Sequence, residues 1–388
     1  MRELFFIYGK KWHYACVIMN KDGGMIMKRI VFSLLLTALL SISAGALGEI
    51  GFAEVLKENV NMRNSPSGKT IMQLDAPQSV FVFEEKQSGK YLWCHVTTIR
   101  GKNTTEGWIR GDMLRFVSDE FKDIVQVQAG DHYVTGVRRD GTVAILGDDM
   151  PHSPCVDTVR TWKNISKVES STCAVYALDR NGNLITVGRS SQYDVWRAAD
   201  ITGEQPILLD KDGYILQGTW LDETYTNLPQ EVRSARFAEI AAIERRMQGG
   251  LTRDGNVIWL HENKALEGAF TNGPYTDIDM YFYHLAALRA DGCVDAEIRL
   301  NIYSDDACQS ACDVDHWENV VQVATGVCHT LGLKADGTVY YAGDDSLHRS
   351  QVEGWTDVVQ IDAGNGYSIA LKADGSVMMA GKYEGYLR

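Results

Sequence analysis

Apolar and polar residues alternate in a short motif that recurs along the later part of the chain. Residues 333–339, Leu-Lys-Ala-Asp-Gly-Thr-Val, return almost unchanged at 371–377 as Leu-Lys-Ala-Asp-Gly-Ser-Val. Alternation on both sides of Asp-Gly is a strong hairpin signal, because a two-residue primed turn requires positive φ at its centre. Each copy therefore predicts a tight β-hairpin.

Five looser copies precede these two, so the motif occurs seven times. The turns begin at Asp140, Asn181, Asp212, Asp254, Asp291, Asp336 and Asp374. Their mean spacing of 39 residues is near the length of a propeller blade and too long for a leucine-rich repeat. In four copies an aromatic residue stands 19 positions before the turn and a glycine seven positions after it. The unit is therefore constant in length up to that glycine, and insertions fall after it.

Each full unit reads aromatic, any residue, Asp or Asn, a β-branched run with glutamine, a small residue with glycine, and then the hairpin. Residues 121–130, 317–326 and 355–364 are the clearest examples. This pattern resembles the regulator of chromosome condensation repeat, and the resemblance covers 121–388. It implies a seven-bladed β-propeller. We expect residues 121–128 to pair with the last hairpin, so that the ends of the domain close the ring and hide sheet edges.

Residues 53–117 predict a small all-β unit of their own. β-Prone runs occupy 80–83, 91–96 and 107–111, with turn-forming residues between them. The order Val-Asn-Met-Arg-Asn-Ser-Pro, then Trp-x-x-Val, then Gly-Trp-Ile resembles the bacterial SH3-like domain over the whole segment. The fold class is therefore all-β, a small SH3-like barrel followed by a propeller.

The SH3-like resemblance implies a groove that contacts peptidoglycan or a protein ligand. The residues placed there are Asn61, Arg63, Tyr91, Trp93 and Trp108. The alternative is that the tryptophans form the core of a small barrel, which has little other bulk to bury, and that Asn61 and Arg63 are strand and turn polar groups. We expect Cys94 to be a buried thiol.

The first 46 residues read as a segment outside the mature fold. Lys28-Arg29 precede an apolar run over 30–42, and small residues at 43–46 are spaced as in a signal-peptidase site. The run is too short to span a bilayer, so we expect a cleaved export signal. Residues 1–24 do not fit such a signal, and we predict that translation starts at Met27. The protein would then be secreted or held at a bacterial cell surface.

Charge and cysteine content narrow the range of partners. After residue 46 the chain holds 32 basic and 49 acidic side chains, a net charge of −17. A surface this acidic repels phosphate backbones, so no nucleic-acid partner is expected. The same segment holds seven cysteines, so at least one is unpaired. Cys173 and Cys328, each eight residues before a turn, are expected inside blades as small apolar groups.

One cluster has the residue types of a metal site. Cys308, Cys312 and His316 are spaced at four residues and have aspartates around them, but zinc sites need a fourth ligand. A structural disulfide in an acidic loop is the interpretation we favour. No Gly-x-Ser-x-Gly, His-Glu-x-x-His or phosphate-loop motif occurs. We therefore predict neither a metal nor a cofactor, and no enzyme activity, although propeller active sites assembled from several blades carry no motif.

These observations predict an exported binding protein, monomeric and without a membrane span in its mature chain. Its SH3-like module would dock to the cell wall or envelope, and its acidic propeller would bind a protein. The aromatic residues of the irregular middle blades are candidates for that face: Trp196, Trp220, Tyr225 and Tyr275. Two alternatives are a secreted inhibitor of an enzyme, on the same aromatic face, and a hydrolase or lyase acting on wall polymers, which would require paired carboxylates.

Overall fold

The computed structural model describes residues 3–7, 12–19, 25–29 and most of 50–381. Within that last range it leaves out residues 77, 99–103, 131–132, 148–155, 171–173, 189–199, 203–206, 217–228, 244–245, 262–263, 266–269, 282–283, 299–305, 346–348 and 365. The chain divides into two compact units, Met1–Gly48 and Glu49–Arg388. In the described parts, no helix has the length and apolarity needed to cross a membrane.

The first unit contains one antiparallel sheet of order β1-β2-β3. Its strands are β1 Glu3–Ile7, β2 Trp12–Met19 and β3 Met25–Arg29. The predicted start at Met27 falls inside β3. The apolar run of the predicted export signal and the small residues after it lie outside the described residues.

The second unit begins with a single antiparallel sheet of order β10-β4-β7-β8-β9-β5-β6, which we call the N-terminal module. Met62, Val82, Cys94 and Ile109 are fully buried in its core, so the predicted burial of the Cys94 thiol is confirmed. Its strands are β4 Gly51–Val55, β5 Val60–Arg63, β6 Thr70–Leu74, β7 Ser79–Ser88, β8 Tyr91–Thr98, β9 Glu106–Arg110 and β10 Leu114–Phe116.

Among the described residues, seven further antiparallel sheets follow, each built from consecutive strands, and we number them one to seven in chain order. This arrangement is that of a propeller. The strands of the first four sheets are β11 Ile124–Ala129, β12 Tyr133–Arg138 and β13 Val143–Gly147; β14 Ile165–Ser170, β15 Ala174–Asp179 and β16 Leu184–Gly188; β17 Asp200–Thr202 and β18 Ile207–Leu209; β19 Phe237–Ile243, β20 Arg246–Thr252, β21 Val257–His261 and β22 Lys264–Ala265.

The last three sheets have three strands each, and short helices connect several elements. The strands are β23 Tyr275–Tyr281, β24 His284–Arg289 and β25 Val294–Ile298; β26 Val320–Gly326, β27 His329–Lys334 and β28 Val339–Gly343; β29 Val358–Ala363, β30 Tyr367–Lys372 and β31 Val377–Gly381. The α-helices are Val117–Glu120, Val156–Arg160, Gln230–Arg233 and Asp306–Gln309, and the 3₁₀-helices are Gly111–Met113, Ser310–Cys312 and Arg349–Gly354.

The Asp-Gly and Asn-Gly motifs form hairpins, as the sequence predicts, but the turn type differs. In the sixth sheet Gly337 has φ of 81° and donates its N–H to the carbonyl of Lys334, while Lys334 donates to Thr338. Asp336 is not left-handed. This is a three-residue loop with glycine in the left-handed position, and it needs positive φ at one residue instead of two.

The turn glycines also join neighbouring sheets. Gly141 accepts a hydrogen bond from the N–H of Ile165, the first residue of the next sheet, and Gly337 accepts one from Val358. The last turn continues the pattern, because Gly375 accepts a hydrogen bond from Ile124 in the first sheet. The sheets therefore close into a ring.

Ring closure differs from the predicted strand exchange. Residues of β11 pair with β12 inside the first sheet, and do not extend the last hairpin. Side-chain contacts add to the Ile124–Gly375 hydrogen bond at this seam. The amide of Gln360 bonds the backbone of Val127, the hydroxyl of Tyr367 donates to the carbonyl of Gly130 at 2.6 Å, and Asp362 accepts from the N–H of Ala129 at 2.7 Å. The described residues form three strands in each of these two sheets, and hydrogen bonds between the sheets, not a shared strand, close the ring.

The N-terminal module packs over this seam. Phe52 and Phe81 of the module share a core with Tyr367 and Met379 of the seventh sheet and with Val127 of the first. The rings of Phe52 and Tyr367 meet edge to face, with centroids 5.2 Å apart. The module and the ring consequently have a common hydrophobic core.

Candidate functional site

A cleft of about 470 Å³ opens on the N-terminal module beside β5 and β8. Four of the five residues predicted for a groove line it: Asn61, Arg63, Tyr91 and Trp93. Asn61 and Arg63 alternate on β5 and reach it from one side. Tyr91 and Trp93 alternate on β8 and form the other side. The period of two along each strand therefore places all four side chains on one surface.

The fifth residue, Trp108, lies elsewhere. It is on β9, where its ring stacks on His95 with centroids 4.6 Å apart. Trp108 is not among the residues that line the cleft. Trp93 is 8% exposed, so only an edge of its ring is accessible. Trp93 is thus a buried residue that also lines the cleft.

Positive charge surrounds the aromatic wall of the cleft. The guanidinium of Arg110 lies 3.7 Å from the centre of the Tyr91 ring, a cation–π contact. Its Nε donates to Asp112 at 2.9 Å, and this hydrogen bond raises the pKa of Arg110 and lowers that of Asp112. Lys57 and Arg63 also line the cleft, with Glu58 as the acidic side chain among its described lining residues.

The polar residues of β5 also have structural partners. Arg63 Nη1 donates to the carbonyl of Gly68 at 2.8 Å and so holds the turn between β5 and β6. Asn61 accepts a hydrogen bond from Gln73 on β6 at 3.2 Å. Both residues therefore serve the strand and turn, while their side chains still face the cleft.

A second cavity, of about 200 Å³, lies among the first strands of six of the ring's sheets. Its lining is largely polar and includes carboxylates from four sheets. The acidic residues are Glu169, Glu239, Asp277, Asp279 and Asp362, and Lys167 is the cation among the described residues around it.

Glutamines at one repeated position of this cavity join sheet to sheet. Gln126, Gln322 and Gln360 each make two hydrogen bonds to the backbone of one residue in the next sheet, which we call an amide latch. The Nε2 atoms donate to the carbonyls of Val168, Ile361 and Val127 at 2.9, 3.1 and 3.0 Å. The Oε1 atoms accept from the N–H groups of those same residues at 3.0, 2.9 and 3.0 Å.

Carboxylates replace glutamine at this position in two sheets. Asp277 accepts a hydrogen bond from the N–H of Val323 in the next sheet at 2.8 Å. Glu239 holds the same position in the fourth sheet and lines the cavity together with Asp277 and Ile278, and hydrogen bonding from the N–H of Ile278 lowers the pKa of Glu239 against the larger, raising effect of burial. One step further along the strands, Asp279 and Asp362 accept from Thr325 and Ala129 at 2.5 and 2.7 Å.

Burial shifts the protonation of these carboxyls. Desolvation raises the pKa of Asp277 to about 7 and that of Asp279 to about 6. It also raises the pKa values of Glu239 and Asp362, and neighbouring carboxylates add to each shift. The cavity therefore favours neutral carboxyl groups at pH values where exposed ones are ionised.

The sequence reasoning missed this cavity. Glutamine is part of the clearest copies of the repeat, but the sequence alone assigned it no role. The feature that could have revealed the cavity was the recurrence of glutamine at Gln126, Gln322 and Gln360, each two residues after the start of the first strand of its sheet. Replacement by Lys167, Glu239 and Asp277 in other sheets conceals that recurrence.

The predicted partner face is mostly outside the described residues. Trp196, Trp220 and Tyr225 all fall there. Tyr275 is described and is 3% exposed, with its hydroxyl donating to Asp295 at 2.5 Å. Burial next to that carboxylate raises the pKa of Tyr275. Tyr275 thus belongs to a sheet interior and not to an exposed binding face.

The possible metal cluster is not assembled. Cys308 forms a disulfide with Cys328, so neither sulfur is available as a ligand. Cys328 is therefore not the isolated apolar group expected from its place before the turn, and Cys173 lies outside the described residues. Among described residues no group of three or more His, Cys, Asp or Glu side chains could hold a metal ion. The disulfide interpretation is confirmed, with Cys328 as the partner.

Neither a protein-family model nor a curated protein matches the chain. Solved structures similar to it include the CRINKLY WD40 ectodomain of the receptor kinase ACR4 from Arabidopsis thaliana, at 14% identity over 68% of this chain and 82% of that one, with a TM-score of 0.35. Human WBSCR16 is 10% identical over 87% and 100%, with a TM-score of 0.37. Prp20p of Saccharomyces cerevisiae, the yeast RCC1, is 13% identical over 87% and 92%, with a TM-score of 0.35. At these scores the description of the fold rests on the chain's own strand pairing.

Proposed function

We propose that this chain is an exported, non-enzymatic binding protein. Its N-terminal module, an SH3-like barrel, holds a component of the bacterial cell envelope, and its ring, a seven-bladed propeller, binds a protein. The observation that carries the first part is the cleft in which Asn61, Arg63, Tyr91 and Trp93 meet. The resemblance to SH3-like domains and the predicted export signal make peptidoglycan the ligand we favour.

The chemistry of the cleft suits a ligand that has both a flat apolar surface and a carboxylate. Tyr91 presents a ring face already polarised by Arg110, and such faces stack on sugars and peptide planes. Arg63 and Lys57 can pair with carboxylates, and guanidinium groups bind them in a bidentate manner. Peptidoglycan offers sugar faces and peptide carboxylates together. The local positive charge contrasts with the net charge of −13 of the whole chain.

The test is retention of the full mature chain by purified peptidoglycan. We expect Tyr91→Ala to weaken retention by about five- to 150-fold, since one base or ring stacking contact contributes about 1–3 kcal/mol. Tyr214→Ala is the matched control, because Tyr214 is a 41% exposed tyrosine on the ring. Equal retention of both variants would show that this cleft does not hold peptidoglycan, and no retention of the unmodified chain would remove peptidoglycan as the ligand.

For the propeller, three exposed valines support a protein partner. Val125, Val321 and Val359 are 44%, 52% and 53% exposed and hold equivalent positions in three successive sheets of the closed ring. Each valine comes directly after the first residue of its sheet. The N–H of that first residue donates a hydrogen bond to the carbonyl of a turn glycine in the preceding sheet. The same edge of the ring therefore carries the valines and the turn aspartates.

The turn aspartates make this edge acidic. Hydrogen bonds from Thr142, Thr338 and Ser376 lower the pKa values of Asp140, Asp336 and Asp374, so these carboxylates stay ionised in mildly acid medium. Apolar side chains among fixed negative charges fit a basic protein surface with exposed aliphatic groups. Such a partner could be an enzyme that this protein inhibits, which is the alternative function.

The partner face is tested by substitution within the complete chain. Immobilised protein and its Val359→Arg variant are exposed to the basic fraction of secreted proteins, with Tyr214→Ala as control. We expect a partner held by the unmodified chain and by the control and released by the variant, with weaker binding at high salt. Identical binding by all three would show that this edge is not the docking face.

A further inference from the structure

The carboxyls of Glu239 and Asp277 stand where other sheets carry a glutamine that bonds the next sheet twice. A carboxamide donates one hydrogen bond and accepts another, and the amide latches use both. An ionised carboxylate can only accept. A protonated carboxyl both donates and accepts, and is in this respect equivalent to glutamine.

The contact between the two side chains points the same way. Glu239 and Asp277 line the same cavity, and a hydrogen bond from the Glu239 side chain lowers the pKa of Asp277 against the larger, raising effect of burial. Two ionised carboxylates have no proton with which to form such a bond, and like charges in one site repel each other. A proton on one member of the pair supplies the donor and removes the repulsion.

We propose that Glu239 and Asp277 share a proton and form an acid latch, so that loss of this proton loosens the ring between its fourth, fifth and sixth sheets. The shared proton lets one carboxyl donate to the other. The remaining oxygens accept from Ile278 and Val323 in the adjoining sheets. Amide latches thus join the sheets at three junctions of the ring, and the titratable pair acts at two others.

Other charged groups face the pair from neighbouring strands. Asp279 on β23 and Glu169 and Asp362 on β14 and β29 are further carboxylates of the same cavity. Lys167 on β14 is a cation there, but its ammonium ion-pairs with Glu169 at 3.3 Å and donates to the carbonyl of Ile201 at 2.6 Å. On β24, which pairs with β23, His284 bonds Thr330 and Arg289 pairs with Asp291. The cavity lining from β11 and β26 contributes no ionisable side chain.

The sign of the pH dependence follows from the direction of the shift. The pKa of Asp277 is about 7 in the folded chain, above the ordinary value near 4 of an unfolded one. A raised carboxyl pKa stabilises the fold fully below the unfolded value, and this contribution is lost as the pH rises through the folded value. The acid latch therefore weakens between about pH 4 and pH 7.

The test is thermal unfolding of the full chain at pH 5, 6, 7 and 8. Glu239→Gln places in the fourth sheet the residue that the amide latches use, and Asp277→Asn gives a neutral side chain of the same shape. Glu353→Gln is the control, because Glu353 is an exposed glutamate far along the chain. We expect Glu239→Gln to match the unmodified chain at pH 5 and to exceed its Tm by about 4 °C or more at pH 8.

A second measurement needs no variant to fold. Infrared spectra of the unmodified chain at pH 6 should contain absorption from protonated carboxyl groups that decreases as the pH is raised to 8. The control should keep this band, and a folded Glu239→Gln/Asp277→Asn variant should have less of it. Absence of the band at pH 6, or a pH dependence of Tm that is the same in Glu239→Gln and in the unmodified chain, would overturn the proposal.

Discussion

At the scale of the residue, Gln360 carries the closure of the ring. Its amide makes two hydrogen bonds to Val127 across the seam, at 3.0 Å each. Both backbone groups of Val127 that it satisfies belong to a fully buried residue. A backbone donor or acceptor left unpaired inside a protein costs more free energy than the bond itself contributes.

Gln360→Ala should therefore destabilise the chain by about 2–4 kcal/mol, because it leaves two backbone groups of Val127 unpaired. Urea unfolding of the full chain measures the change in the free energy of unfolding. Gln351→Ala removes an exposed glutamine from the nearby 3₁₀-helix and should change it by less than about 0.5 kcal/mol. Equal effects of the two substitutions would mean that the latch contributes nothing to closure.

The amide latches also show which features of a single residue could be predicted from the sequence. Strand alternation predicts that Gln126, Gln322 and Gln360 share one side of their strands, and they do. It does not say that this side faces a cavity inside the ring, since a polar position on a strand normally faces solvent. The contact between residues 360 and 127 depends on closure of the whole ring, which no local pattern encodes.

At the scale of the element, the hairpin turns fix both their own strands and the next sheet. Gly337 adopts φ of 81°, and a Cβ there would lie 3.2 Å from the backbone nitrogen of Val358. The residue must therefore be glycine for its own conformation and for the close approach of its neighbour.

Gly337→Ala is expected to lower the free energy of unfolding by about 1–3 kcal/mol, the range for a non-glycine residue held in the left-handed region. Gly354→Ala is the comparison, because a Cβ at Gly354 meets no atom within 4 Å and its φ is not positive. Thermal unfolding of both variants decides the matter. A loss at Gly354 as large as that at Gly337 would contradict the conformational argument.

The disulfide between Cys308 and Cys328 also stabilises the contact between elements. Cys308, in the helix that precedes the sixth sheet, is joined to Cys328 at the turn between β26 and β27, a separation of 20 residues. A closed loop of that length contributes about 3 kcal/mol by restricting the unfolded chain. The bond ties an insertion to the sheet that follows it.

Reduction should accordingly lower the stability of the unmodified chain by about 3 kcal/mol and leave that of Cys308→Ser unchanged. Cys293→Ser, which alters a thiol outside the disulfide, should respond to reductant as the unmodified chain does. The measurement is urea unfolding with and without reductant. A reductant effect that persists in Cys308→Ser would have to come from another cysteine pair.

The elements were more predictable than the contacts among them. Asp-Gly and Asn-Gly placed the turns, and the aromatic and glycine positions placed the strands around them, because both depend on local conformation. The cysteine pairing was not predictable, since Cys308, Cys312 and Cys328 offered several geometries and only the fold brings two of them together. In the N-terminal module, all five groove residues were assigned through the SH3-like resemblance; four of them line the cleft, and Trp108 on β9 does not.

At the scale of the whole molecule, the N-terminal module is a part of the ring's seam and not an appendage. Besides the aromatic core, Glu54 of the module is 5% exposed and ion-pairs with Arg115 and with Arg160, which follows the first sheet. Ser79 donates to the carbonyl of Gly147 at the end of that sheet. The short helix Val117–Glu120 leaves little chain for independent motion.

A chain that begins at Ser118 should therefore be soluble only in part and should aggregate on size-exclusion chromatography, because it exposes the apolar surface around Tyr367 and Met379. Within the complete chain, Phe52→Ala should cost about 3–5 kcal/mol by the same loss of packing. Leu56→Ala is the control, since Leu56 is 48% exposed. A monodisperse, fully stable Ser118 chain would show that the shared core is dispensable.

The shared core also sets the order in which the molecule can be completed. Phe52 and Phe81 lie near the start of the second unit, and Tyr367 and Met379 are near the end of the chain. Synthesis proceeds from the N-terminus, so the aromatic surface of the module forms long before its partner exists. Contacts so distant in sequence are slow to form, and apolar surface exposed meanwhile is prone to association. A chain released before the seventh sheet is made would have two uncovered apolar faces, so a soluble product requires synthesis through that sheet.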